Sequence, residues 1–171
     1  MRVRRDVVAM VGAVAAQRLA ELAVSRRHER RLRAAGAIEA GGGHHPVMVG
    51  LHAAWLVSTL VEGSSTTVRR PLAGVAFLVV QPLRYWAIRT LGDRWTTRVL
   101  VLPGRRPIAT GPYRYLRHPN YVAVVVELAA VPVFVGARRT AVLFSAANAA
   151  LLAVRVRAET AALNDAGAGS R

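Results

Sequence analysis

The sequence predicts an all-α integral membrane protein of about five transmembrane helices, and three observations carry that expectation. Hydrophobic residues fill 53% of the 171 positions, and the mean hydropathy is +0.30. The apolar residues gather into five runs long enough to approach the ~20 residues of a membrane span. The charge is lopsided, 24 bases against 9 acids for a net +15, and every base is Arg. A nucleic-acid-binding domain would lay such charge along one face. Here the Arg residues sit in clusters between the apolar runs, as the flanks of membrane spans do. No nucleic-acid partner is expected. Cys is absent, which excludes disulfides, thiolate metal sites and a Cys nucleophile.

The first run, residues 7–23, follows MRVRRD and so also has the shape of a signal peptide. It reads as a first span because other spans follow and small residues are common throughout this chain. The second run covers 46–61, the third 71–88, the fourth 121–136 and the fifth 141–154. Flanking Arg side chains can snorkel and extend the shorter ones. Between the third and fourth runs, Val99-Leu100-Val101-Leu102 followed by Pro103-Gly104 predicts a short strand and a turn. A single domain over residues 1–163 is expected, with a disordered tail at 164–171. Sixteen Arg fall in the 26–45 loop, the 84–117 region and the C-terminal tail, against seven on the other face. That asymmetry predicts the N-terminus outside and both the 84–117 loop and the tail in the cytoplasm. The all-Arg base set, with abundant Ala, Val and Gly, points to a GC-rich bacterial genome, and so to the inner (cytoplasmic) membrane.

Charged groups within spans cost several kcal/mol and mark function or pairing. Arg18 and Glu21 are i, i+3 and can pair on one face, as a structural lock or as substrate contacts. His45, Met48, His52, Trp55, Thr59 and Glu62 fall on one face of the second run. That face must meet other helices or a cavity, serving either polar packing or substrate binding. Metal binding by His45 and His52 is not expected, because seven residues separate them by roughly 10 Å along a helix. Glu127 is a lone acid in the fourth run, a catalytic candidate or the partner of an Arg. Asn148, Arg155 and Glu159 share a face that leaves the membrane beside His118.

The densest polar chemistry is Gly111-Pro112-Tyr113-Arg114-Tyr115-Leu116-Arg117-His118-Pro119-Asn120-Tyr121, immediately before the fourth run. Pro119 suits a first helical turn, and His118 or Asn120 can cap it. The helix N-terminus favours an anion, Arg114 and Arg117 add positive charge, and the Tyr residues add flat surfaces. Such a corner suits a ligand with a carboxylate and an aromatic base.

With an acid in the following span and Arg155-Val156-Arg157-Ala158-Glu159-Thr160-Ala161-Ala162-Leu163, this stretch resembles the isoprenylcysteine carboxyl methyltransferase family. The family pattern, G-x-Y-x-x-x-R-H-P-x-Y and then R-[IV]-x-x-E-E-x-x-L, is matched at Gly111, Tyr113, Arg117, His118, Pro119 and Tyr121, and at Arg155, Glu159 and Leu163. Ala123 stands where Gly is common and Thr160 where the second Glu is common. The resemblance implies a multi-span enzyme using S-adenosyl-L-methionine, with Tyr113, Arg117, His118, Pro119, Tyr121, Arg155 and Glu159 around the cofactor. It further implies a lipidic acceptor reached through the bilayer, without an obligate protein partner. On that reading Arg18, Glu21, His45, His52 and Trp55 line the acceptor's path, and Glu127 or His52 serves as base where the acceptor needs one. Residues 18–55 resemble a bacterial branch that methylates long-chain pyrones or resorcinols. A phospholipid N-methyltransferase belongs to the same class. An NADPH-dependent sterol-reductase-like enzyme is the alternative, since those proteins carry a similar Arg-His-Pro-Asn-Tyr stretch that commonly continues into Gly-Glu, whereas this chain continues Val122-Ala123-Val124.

Overall fold

The computed structural model describes residues 4–40, 43–105 and 107–168, the last six as backbone only. Five α-helices, two short 3-10 turns and one two-stranded sheet make up the described chain. They are α1 (Arg5–Ala34), β1 (Ile38–Ala40), α2 (His44–Ser64), α3 (Pro71–Leu91), β2 (Val99–Val101), α4 (Pro119–Val135) and α5 (Arg138–Ala168). Each expected span falls on its own helix, the fourth overrunning α4 by one residue at Gly136. Four helices, α1, α2, α3 and α5, are long and apolar enough to cross a membrane, while α4 has only 17 residues. The protein is an integral membrane protein.

The shortest helix is the central one. α4 packs most extensively on α3 and α5, and it buries Ala123, Glu127, Leu128, Ala130, Val131 and Val135. The N-terminal run packs into the bundle. Val7 and Val11 meet Val135 and Ala137 in one cluster, and Val14 meets Trp55, Leu128 and Val131 in another. These contacts are contiguous along α1, so one α1 stripe supports two layers of the bundle.

At the end of the bundle bearing the N-terminus, side chains close the helix termini. The Glu62 carboxylate accepts from the backbone N–H of Arg139 (3.0 Å) and of Thr140 (2.8 Å), and from the Thr140 hydroxyl (2.7 Å). It therefore caps α5 from α2, supplying partners and negative charge where a helix N-terminus has free donors. The α4–α5 corner turns on Gly136, whose φ of +89° is left-handed. A Cβ there would lie 2.6 Å from Thr66 Cγ2 and 2.8 Å from the Val68 carbonyl oxygen, so glycine is required twice over.

The opposite end carries the long connections. α1 is 30 residues, about 45 Å at the helical rise, so its Arg-rich last turns project past a ~30 Å hydrocarbon core. The 92–101 segment docks on this projection. Ser25 Oγ accepts from the Thr97 N–H (2.9 Å), and His28 Nδ1 lies 2.8 Å from the Trp95 carbonyl oxygen. β2, the strand expected at 99–102, pairs antiparallel with β1, with Glu39 opposite Leu100. Arg33 and Arg98 both bind the Glu39 carboxylate, Arg98 at 2.6 Å. Burial opposes ionisation of Glu39, but these two guanidinium groups outweigh it and hold its carboxyl below the usual range.

Two expectations are corrected. Arg84, counted with the Arg of the cytoplasmic 84–117 region, lies inside α3, which continues to Leu91, and its side chain is only 3% exposed. At the start of α4, neither His118 nor Asn120 caps the helix, since the N-cap position makes no side-chain bond there. The α4 first turn is instead built from Pro119 with the Tyr121 and Val122 N–H groups reaching the His118 carbonyl oxygen. α5 runs to Ala168, and of the tail expected at 164–171, residues 169–171 lie outside the described residues.

Candidate functional site

Gly111 opens the motif with a φ of +56°. A Cβ at that position would stand 2.5 Å from the Thr90 hydroxyl oxygen and 3.2 Å from Trp86 Nε1. Glycine lets this turn press against the last turns of α3, so the following residues arrive at a fixed height. A single 3-10 turn, Gly111–Arg114, then delivers Tyr113, and Pro119 starts α4.

The structure brings the motif and the α5 end together. Tyr121 Oη donates to Glu159 at 3.0 Å, and His118 Nδ1 lies 3.7 Å from the same carboxylate. The His118 and Tyr121 rings stack with centroids 5.1 Å apart at 15°. Burial, and then the nearby Glu159 and Tyr121, push the Tyr113 phenol upward, so it stays a neutral donor. Arg155 is buried and donates to the Thr97 carbonyl oxygen at 2.9 Å. Thr97 also meets Ser25 Oγ (2.9 Å) and His45 Nε2 (3.1 Å) through its hydroxyl. Three helices thus hold one loop residue, and that residue orients Arg155. Arg117 faces outward.

The residues expected along an acceptor path do not gather at this corner. Only His45 reaches it, through Thr97. His52 Nδ1 lies 2.9 Å from the Met48 carbonyl oxygen, and Trp55 Nε1 donates to the Leu128 carbonyl oxygen at 3.1 Å. Arg18, Glu21 and Glu127 form a separate buried assembly with Arg84. The Arg84 guanidinium binds Glu21 through Nε and Nη2, both at 2.6 Å, and reaches Glu127 at 3.1 Å. Arg18 binds Glu21 at 2.8 Å and also binds Glu127. Gln17 adds a bond to Glu21 (3.1 Å) and another to Gln81 (3.0 Å). Two cations and two anions from α1, α3 and α4 therefore compensate one another. Sequence reading missed Arg84 and Thr97. Gln81 and Arg84, i, i+3 inside an apolar run, were the available signal for the first; nothing marked the second.

The corner's chemistry fits a zwitterionic nucleoside ligand. Among the described residues, Asn120 Oδ1 and Arg155 Nε are buried without a partner, an acceptor on α4 and a donor on α5. Unpaired buried polar atoms are costly, and an ammonium and a carboxylate would satisfy them. Tyr113, His118 and Tyr121 supply the flat surfaces. Among the described residues no group of three or more His, Cys, Asp or Glu is placed to hold a metal.

The family model described as the isoprenylcysteine carboxyl methyltransferase (ICMT) family matches residues 72–165, from the start of α3 to the end of the Glu159 turn. The chain belongs to this family of membrane methyltransferases. It is also similar to the uncharacterized protein YpbQ of Bacillus subtilis, 38% identical over 161 residues, covering 91% of this chain and 95% of that one. An uncharacterized protein of Haemophilus influenzae is 28% identical over 158 residues, covering 88% and 91% respectively. No solved structure matches. The family match includes both halves of the corner and also Arg84 and Glu127. Of the two departures from the family pattern, Ala123 is fully buried and Thr160 is exposed.

Proposed function

We propose that this protein is an S-adenosyl-L-methionine-dependent O-methyltransferase acting on a lipidic acceptor at the cytoplasmic rim of the inner membrane. The observation that carries the reading is the closure of the His118–Tyr121 corner onto Glu159, which joins two motif halves 38 residues apart. Tyr113, His118, Pro119 and Tyr121 would hold the nucleoside side of the cofactor, and Arg155, Asn120 and Glu159 its charged end. When bound, the cofactor supplies an electrophilic methyl group. The chain's own residues supply orientation, which is the main requirement of a direct displacement. Arg155 is fixed by Thr97 and Tyr121 by Glu159, so little rearrangement is needed on binding. A carboxylate or acidic enol of a long-chain pyrone or resorcinol type arrives ionised and needs no base; a simple phenol would draw on His52 or Glu127. Glu127 lies six residues beyond Tyr121, roughly 9 Å deeper along α4.

The test is mass spectrometry of lipid extracts incubated with the purified protein and isotopically labelled S-adenosyl-L-methionine. One labelled lipid names the acceptor and the methylated atom; none in any extract removes the transfer reading. Titration with S-adenosylhomocysteine and with NADPH separates it from reduction, because only the first should bind.

A further inference from the structure

α4 is a two-sided helix. Ala123, Glu127 and Ala130 face the other helices and are buried, whereas Val122 and Val125 are 41% and 46% exposed. On that outer side a cleft of about 680 Å³ lies between α4 and α5. Its walls are Val122, Val125 and Val126 on one side and Leu152, Ala153 and Val156 on the other, with Ala149 at the deep end. At its shallow end stand His118 and Tyr121, the same rings that face Glu159, together with Arg117 and Arg157. Neither Arg has a carboxylate partner among the described residues, and both are exposed.

We infer that this α4–α5 cleft holds the hydrocarbon chain of an anionic lipid acceptor, with Arg117 and Arg157 receiving its charged head beside the His118–Tyr121 rings. This deepens the methyltransferase reading and rests on it. It also moves the acceptor from the α1–α2 side, where the sequence placed it, to the opposite face of α4.

The physical case has three parts. From Val156 to Ala149 the cleft descends seven residues along α5, roughly 10 Å, which is most of the ~15 Å depth of one hydrocarbon leaflet. The wall is aliphatic throughout that depth, so it offers a nucleoside no polar partners and offers a chain continuous contact. Charge is confined to the mouth, where two unneutralised guanidinium groups complement a carboxylate or enolate. The small side chains of Ala149 and Ala153, one turn apart on α5, leave the space open and so set how much chain it admits.

Photolabelling tests this in phosphatidylcholine nanodiscs, with palmitic acid carrying a mid-chain diazirine as the probe and S-adenosylhomocysteine binding measured in parallel. Labelled peptides are expected to map to 122–126 and 149–156. Ala153→Trp should reduce that labelling about tenfold or more while S-adenosylhomocysteine still binds, and Ala149→Leu should reduce it less. Arg157→Gln should weaken labelling by the acid about fivefold and leave labelling by its methyl ester unchanged. Labelling spread equally onto exposed α3 residues such as Leu78 and Val79, or unchanged by Ala153→Trp, would overturn the inference. So would loss of S-adenosylhomocysteine binding in Ala153→Trp, since the cleft would then belong to the cofactor. Cleft labelling in a protein that never binds S-adenosylhomocysteine would support the lipid site and overturn the methyl-donor reading alone.

Discussion

Arg84 holds two carboxylates at once, Glu21 through a two-pronged contact and Glu127 through its third nitrogen. Arg84→Ala leaves those acids with Arg18 as their one cation in the assembly, and breaking a buried pair from one side costs on the order of 3–5 kcal/mol. A large drop in melting temperature in detergent is the expected outcome. Glu127→Gln is the milder change, because Gln keeps the shape and one acceptor. It should lower turnover while S-adenosylhomocysteine binding persists; unchanged turnover would free Glu127 of any part in the reaction. The contrast matters because Glu127 is fully buried and sits on the α4 face opposite the cleft. Whatever it contributes is transmitted through α4, by the position it gives the helix, or through an acceptor head that reaches the interior.

At the scale of elements, the small β1–β2 pair is clamped by charge. The folded-state pKa of Glu39 lies below its ordinary value of 4.5, so its stabilising contribution is complete above that value and is lost as pH falls through the lower folded one. Melting temperature in detergent should therefore decline on acidification below pH 4.5. Glu39→Gln should start lower and show a weaker decline over the same window. The expected strand at 99–102 was legible from its β-branched run, but its partner was not. Ile38-Glu39-Ala40 is too short to show alternation and only exists because α1 projects far enough to present it. Helix centres were legible from apolar runs and helix ends were not. The Arg-rich turns of α1 and the Arg155–Glu159 turns of α5 look like loops in composition, yet continue the helices beyond the hydrocarbon layer. The stripe from His45 to Glu62 was a correct face with divergent uses: Trp55 braces α4, His45 meets Thr97, and Glu62 caps α5. A shared face says which residues point the same way, and only the neighbours decide what they meet.

For the whole molecule, the two ends of the bundle differ in kind. One is sealed by the Glu62 cap and the Gly136 corner, and the other carries the sheet, the docked 92–101 segment and the motif corner. The Arg count predicts that the second end faces the cytoplasm. Because the chain contains no Cys, single replacements test this directly. Thr67→Cys should react with a membrane-impermeant maleimide on intact spheroplasts, and Arg105→Cys should react only after permeabilisation. The reverse pattern would invert the orientation and place the corner outside the reach of a cytoplasmic methyl donor. Overall helix number and the meeting of the corner with the α5 end were within reach of the sequence, since both depend on local patterning and on which way each span runs. The partner of each intramembrane charge was not, because Arg84 can be matched to Glu21 and Glu127 only once the spans are arranged around α4.

The four-charge assembly also bears on how the chain is made. Glu21 and Arg18 are inserted with α1, Arg84 follows with α3, and Glu127 comes last with α4. Until α4 is synthesised, two cations share one anion in the bilayer, an imbalance that lipid tolerates poorly. The nascent chain is therefore expected to keep its early helices beside the insertion machinery until Glu127 emerges. A fragment stopping at residue 117 should be degraded faster than the full chain and should be released by alkaline carbonate to a greater extent. If the fragment instead persists as firmly as the full chain, the acid of α4 is dispensable to assembly.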